Sequence, residues 1–313
     1  MITEVVLTLI GGLVLFLFAV TNLSDVSNEL AGEKTRYWLQ KFTTNTFTGI
    51  VSGLVLTAIL GSSSAVIIIT IVLVKARVLS FREAMGIVLG ANIGTTVSSQ
   101  IIAFDLGRYA PVFMIIGLVL VLTAAKSKLR KGVGSLFLYF GMLFFGLNTM
   151  GSSVEPLKGH PKFFEWLAML DNPLSGVLAG GIITAIIQAS SATVGMAIVL
   201  GKKGVITLIA GVSVMMGAEL GTCADTLLAT INSSKQALKT GLFHLIFNII
   251  SIITGLILIH PFVNLVEFIS IGMPLERKIA NAHMLFNILG VVIFAWFIPL
   301  FDKLLTRLIP EKP

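Results

Sequence analysis

Charge is scarce in this chain. Only 12% of its 313 residues are Asp, Glu, Lys or Arg, against roughly a quarter in an ordinary soluble domain. With 56% hydrophobic residues and a mean hydropathy of +0.98, too little polar surface remains for a fold bathed in water. Cysteine is nearly absent, Cys223 being the single one, which excludes an intrachain disulfide. No basic face with interleaved aromatics is present, so nucleic acid is not an expected partner. The first apolar stretch, Val5 to Leu23, lacks the basic flank and small-residue cleavage site of a signal peptide and reads as a retained helix.

Apolar segments of about twenty residues recur from end to end, as bilayer spans require. The expected fold is therefore an all-α polytopic membrane protein, with the lipid bilayer as its solvent. The net charge of +7 is concentrated in short loops, where it reports orientation in a membrane.

Two stretches interrupt the apolar pattern in the same way. "TAILGSSSAVIII" (57–69) and "TAIIQASSATVGM" (184–196) align without a gap when the chain is displaced by 127 positions. The same displacement brings "GANIGTT" (90–96) onto "GAELGTC" (217–223), Asn45 onto Asn172 and Gly53 onto Gly180. Coincidence of Ser, Gly, Thr and Asn at one offset marks an internal duplication. It divides the chain into a first repeat at 1–127, a second at 128–262, and a C-terminal helix and tail at 263–313. Each repeat reads as a spanning helix (5–23; 132–150) and a polar linker. Two short arms follow (46–60 and 65–75; 173–187 and 192–201), hinged at tips 61–65 and 188–192. A third helix broken at Gly-Thr (83–104; 206–229) and a closing span (109–124; 238–259) complete the repeat, and one extra helix at 278–300 ends the chain.

If each pair of arms is a re-entrant hairpin, each repeat crosses the bilayer three times and the second is inverted. That topology places fifteen of the 22 Lys and Arg on one side and seven on the other. By the positive-inside rule the amino terminus is then outside and the carboxyl terminus cytoplasmic, in the cell (inner) membrane. Inverted repeats with interrupted helices in matching places point to a secondary transporter with its site at the repeat interface.

At a hairpin tip the second arm offers free N–H groups and the positive end of its dipole. Serine hydroxyls beside them suit an oxyanion without fixed positive charge. Lys and Arg are absent from 53–74, 86–106 and 172–201, so co-bound cations would have to offset an anion there. Serine can also serve as interhelical glue, but a serine cluster duplicated beside a duplicated Gly-Thr favours the binding reading.

These motifs resemble the signatures of the sodium-dependent phosphate cotransporters of the type II class and their bacterial relatives. That family carries a duplicated Gln-Ser-Ser-Ser element, each followed by Gly-x-Asn-x-Gly-Thr. "HLIFN" (244–248) and "HMLFN" (283–287) resemble a further His-x-x-Phe-Asn element of the family. The resemblance implies phosphate contacts from Gln188, Ser190 and Ser191, with Ser62, Ser63 and Ser64 facing them. It implies sodium ligands at Asn92, Thr95, Thr96, Glu219 and Thr222. Gly61 departs from the pattern where glutamine is expected, Ala189 where the second motif has its first serine, and Glu219 where Asn92 keeps the amide.

The expectation is thus a sodium-coupled phosphate symporter working by alternating access, not an enzyme, with sodium as coupling ion and no other cofactor. Alternatives left open are a sodium- or proton-coupled transporter of another oxyanion or carboxylate, an exporter, and an intramembrane hydrolase using Ser63 with His244 or Glu219. The oligomeric state is also open, a homodimer being one option. Glu219 reads as a cation ligand or proton-titrating group, since acids at membrane depth are usually functional. Asp225 could be solvated by the loop at Asn232. His244 and His283 read as helix glue bonded to the asparagine that follows each.

Overall fold

The computed structural model describes residues 2–104, 106–124, 127–159, 161–231 and 233–310. Among them every regular element is a helix. In chain order these are α1 (Ile2–Phe42), α2 (Thr46–Leu60), α3 (Ser63–Lys75), α4 (Phe81–Ala103) and α5 (Ala110–Leu122). There follow α6 (Lys128–Val154), α7 (Pro161–Ala168), α8 (Pro173–Ile187), α9 (Ser190–Lys202) and α10 (Leu208–Gly221). The last four are α11 (Cys223–Leu228), α12 (Lys235–Ile257), α13 (Ile259–Ile269) and α14 (Leu275–Leu308).

Six described helical stretches are long and apolar enough to cross a membrane, or seven if α8 and the segment before it, meeting at 104°, form one bent span. The protein is a multi-pass membrane protein. The short arms α2, α3, α8 and α9, of 13 to 15 residues, reach only about 20–23 Å at 1.5 Å per residue, less than a hydrocarbon core of about 30 Å.

The hairpins follow from local chemistry. Asn45 caps α2 by accepting from Thr48 N–H at 3.0 Å, and its counterpart Asn172 caps α8 by accepting from Leu174 N–H at 3.0 Å. Gly61 ends α2 in the left-handed region (φ 69°), and Ser62 starts α3 by accepting from Ala65 N–H at 3.2 Å. A Cβ at Gly49, near the start of α2, would touch the Glu83 carbonyl near the start of α4. Since α3 ends a few residues before α4 begins, α3 must run back along α2.

The duplication is visible in backbone contacts. A Cβ at Gly53 would run into the Ile87 carbonyl, and one at Gly180 into the Val214 carbonyl. Likewise Gly90 abuts Ile50 and Gly217 abuts Val177. Every member of these pairs is displaced by 127 from its counterpart. Small residues that let helix backbones touch are what membrane helices use to associate, because lipid supplies no hydrophobic drive.

Several expectations need correction. The polar linker after residue 23 is helical: α1 continues unbroken to Phe42, because 24–42 contains no proline and is rich in Glu, Leu, Lys and Gln. The Gly-Thr break occurs in the second repeat only. In the first, α4 runs through Gly94-Thr95 for 23 residues. In the second, Thr222 has ψ −16° and its hydroxyl bonds the Glu219 carbonyl at 2.7 Å, tightening one turn between α10 and α11. The closing span of the first repeat is a 13-residue helix, α5, behind a four-residue 3-10 turn. Together they reach about 28 Å by their rises per residue, at the lower edge of a full crossing. Lys239, one of the basic residues counted on the more basic side, is not at a water-facing surface: it is buried and donates to Thr306 Oγ1 at 3.3 Å. Lys126, Lys312 and Asn232, and the last three residues of the 263–313 segment, lie outside the described residues.

Candidate functional site: a polar cavity between two hairpin tips

Both tips open onto one cavity of about 150 Å³. Its lining contains Gly61, Ser62, Ser63 and Ser64 from the first tip and Gln188, Ala189, Ser190 and Ser191 from the second. Thr95 of α4 and Thr222 between α10 and α11 complete two sets related by the 127-residue displacement. All six residues expected to face the anion line this cavity, together with Thr95 and Thr222. Asn92, Thr96 and Glu219 do not; they are buried within the helix packing.

Each tip presents its donors differently. The Ser62 hydroxyl accepts from Ala65 N–H, which leaves its own hydrogen free to donate. Ala189 has no side-chain oxygen, so α9 begins without a cap and its first N–H groups lack intrahelical acceptors. Gln188 occupies the left-handed position (φ 58°) that glycine holds at 61. A non-glycine residue there costs about 1–2 kcal/mol, and such outliers cluster where a site requires them. Thr95 Oγ1 donates to the Ala91 carbonyl at 3.1 Å and Thr96 Oγ1 to the Ile93 carbonyl at 2.8 Å. Asn92 Nδ2 donates to the Val88 carbonyl at 2.8 Å. With its hydrogen directed at its own helix, Thr95 keeps its oxygen lone pairs available to the cavity it lines.

The cavity has a third wall that the duplication does not reveal. Val20, Thr21, Ser24 and Asp25 of α1 line it. A neighbouring and mostly apolar cavity of about 410 Å³ shares Val20, Ser24, Gly61 and Ser191 with it.

Glu219 is engaged elsewhere. Its Oε1 lies 2.5 Å from His283 Nε2, and His283 Nδ1 lies 2.7 Å from Ser99 Oγ, all three residues being buried. Ser99 belongs to the first repeat and Glu219 to the second, so α14 ties the two together through one ring. A second histidine echoes this. His244 Nδ1 lies 3.0 Å from Thr226 Oγ1, and Thr226 is the counterpart of Ser99 at 127. The reading of the histidines as glue to the following asparagine holds only in part. Asn287 Nδ2 does reach the His283 carbonyl at 3.2 Å, but Asn248 Nδ2 reaches Cys223 Sγ at 3.2 Å. Neither ring uses its asparagine. Asp225 accepts from Thr226 N–H at 2.8 Å and is approached by the Ser64 side chain, which links it to the first tip.

These features define a polytopic membrane protein whose duplicated helical hairpins enclose one small polar cavity free of fixed positive charge. The chain belongs to the Na+/Pi-cotransporter family, whose sequence model matches residues 15–152 and 159–297, one stretch in each half. YqeW of Bacillus subtilis is 32% identical over 286 residues, 90% of this chain and 91% of its own. YjbB of Salmonella typhimurium, provisionally named an inorganic phosphate export protein, is 25% identical over 268 residues, 84% of this chain and 48% of its own. Human sodium-dependent phosphate transport protein 2B is 26% identical over 134 residues, 39% of this chain and 19% of its own. This chain therefore spans about half of YjbB and a fifth of the human protein. No solved structure gives a significant match.

Proposed function

We propose that the protein transports inorganic phosphate across the cell membrane, coupled to sodium, with the anion held between the two hairpin tips. The observation that carries this reading is the cavity of about 150 Å³ lined by hydroxyls, one amide and two helix N-termini. Donors of this kind suit a tetrahedral oxyanion. Among the described residues no Lys or Arg lines the cavity, so the anion's charge needs a cation, and the hydroxyl oxygens of Thr95 and Thr222 are hard donors matching sodium. In this reading Asn92, Thr96 and Glu219 act from behind the cavity, supporting the helices that carry Thr95 and Thr222. Alternating access then exchanges the two repeats across an inverted topology, with the amino terminus outside.

Labelled phosphate uptake into proteoliposomes, with sodium gradients of either direction, tests substrate, coupling and direction together. Sodium-driven uptake is expected; equal rates with and without sodium would exclude the coupling. The relative named for export makes outward flux the second reading, distinguished by loading the vesicles with phosphate first. Topology is tested separately by single cysteines in a Cys223→Ser background. Those at Lys162 and Lys203 should label from outside, and those at Lys34 and Lys128 only after permeabilisation. Labelling of 34 and 162 from the same side would break the inversion.

The hydrolase reading finds no support in the geometry. His244 bonds Thr226 and Glu219 bonds His283, so neither serves Ser63. The Ser99–His283–Glu219 chain has the residue types of a hydrolytic triad, but all three are sealed in the helix packing.

A further inference from the structure

Asp25 is the only charged side chain among the described residues that line the tip cavity. It also sits inside the apolar stretch Thr3–Ala31 that is long enough to span a bilayer. Its side chain is exposed at the cavity rather than sealed in the helix packing, so the carboxylate can reach a ligand there. It lines the same cavity as the tip serines. An anion brought between the tips would share a space of about 150 Å³ with this carboxylate. At such separations like charges repel strongly, more so away from bulk water. A cavity built for anions alone would not carry the residue.

The neighbours of Asp25 supply what a cation needs. Thr21 stands four residues before it and therefore on the same face of α1, and Ser24 adjoins it; both line the cavity. Carboxylate and hydroxyl oxygens are hard donors, suited to a hard cation. The duplication offers no second copy, because the counterpart of Asp25 at 127 is Ser152.

We infer that Asp25, with the hydroxyls of Thr21 and Ser24, holds a hard monovalent cation such as sodium on the α1 wall, and that this cation makes anion binding conditional. Without it the carboxylate repels the incoming oxyanion; with it that charge is cancelled and the anion is admitted. The inference deepens the oxyanion reading above and rests on it for the second half of the claim. Its first half, the cation site, stands alone.

The test uses the purified full-length chain in nanodiscs, with two separate readouts. Thermal unfolding is followed against NaCl in the absence of phosphate, with choline chloride holding ionic strength constant. Sodium should stabilise the wild type, and D25N and D25S should raise the sodium midpoint at least tenfold, while D25E stays within threefold. Inorganic phosphate binding is then measured in sodium and in choline. Wild type should bind at least tenfold more tightly in sodium, and in D25N that ratio should shrink at least threefold, the remainder coming from the cation at Thr95 and Thr222. Asp25 is exposed at the cavity rim, so the variants should fold, and D25S supplies the residue the other repeat uses. A D25N sodium midpoint within threefold of wild type overturns the site. Failure of wild type to bind phosphate, with the sodium shift intact, overturns the oxyanion reading and leaves the cation site standing.

Discussion

The two hairpins are copies of one device that have diverged at their tips, and the differences fall on the residues that face the cavity. The first tip turns on Gly61, for which a left-handed backbone costs nothing, and its second arm is capped by Ser62. The second tip forces Gln188 into the same conformation and leaves α9 uncapped. Its arms are stitched by Thr184 Oγ1 donating to Thr193 Oγ1 at 2.7 Å. In the first hairpin Val66 stands at the place of Thr193, and Thr57 Oγ1 has no partner. The first tip is locally relaxed and capped, whereas the second holds its donors available and secures its arms from behind. The asymmetry leaves more unpaired donors at the second tip than at the first, so under the proposed function the second hairpin is the one expected to carry the main contacts to the anion.

The shared part of the comparison is the hardest to alter. Gly90→Ala and Gly217→Ala would each drive a methyl into a carbonyl of the facing helix. Overpacking of backbone against backbone is expected to cost about 3 kcal/mol in each repeat, the upper end of the usual range. Melting in detergent should show both variants unfolded or strongly destabilised. Gly11→Ala, with nothing within 4 Å of its added carbon, should melt like wild type. A harmless substitution at 90 or 217 would mean the helices do not touch as described.

The next effect separates Glu219 from Asn92. Glu219→Gln should lose a charge-assisted hydrogen bond worth about 1.5–3 kcal/mol, and His283→Gln a similar amount. The double variant should be less destabilised than the sum by about 1 kcal/mol or more. Asn92→Ala, which removes only a bond to its own helix, should cost less than either. Additive behaviour of 219 and 283 would dissolve the link between the repeats through α14.

At the tips, Gln188→Gly makes the second turn like the first. Stability should rise by up to about 1 kcal/mol as left-handed strain is released. Phosphate affinity should fall tenfold or more, since losing a hydrogen bond to a charged group costs about 1.5–3 kcal/mol. Binding at wild-type strength would assign Gln188 to structure alone. The smallest change exchanges the caps. Ser62→Ala should cost about 1 kcal/mol and Ala189→Ser should gain a similar amount, the latter weakening phosphate because the new oxygen competes for the α9 N–H groups. If Ala189→Ser leaves affinity untouched, those N–H groups do not meet the anion.

Much of this architecture was legible in the residues, because a duplication writes each constraint twice. Asn45 and Asn172 align since both cap a first arm, and Gly53 and Gly180 align since both face a carbonyl. Features without a second copy escaped. Asp25 lies in what reads as a polar linker, opposite a serine in the other repeat, and only the continuation of α1 brings it to the tips. The partner of Glu219 lies 64 residues away on a helix outside both repeats, and periodicity says nothing of such pairings. Gly-Thr looked like a break in both halves, but the helix is interrupted only at Thr222, between α10 and α11.

The Glu219–His283 contact also sets an order of events during biosynthesis. Ribosomes add about 5–20 residues per second, so the 64 residues between the partners take about 3 to 13 s to make. For that interval the second repeat is inserted with its deepest carboxylate lacking its imidazole, and Ser99 of the first repeat waits on the same ring. Neither repeat can reach its final packing as an independent unit, although each carries a complete hairpin. A nascent chain that stops before α14 would therefore lack the ring that joins the two repeats.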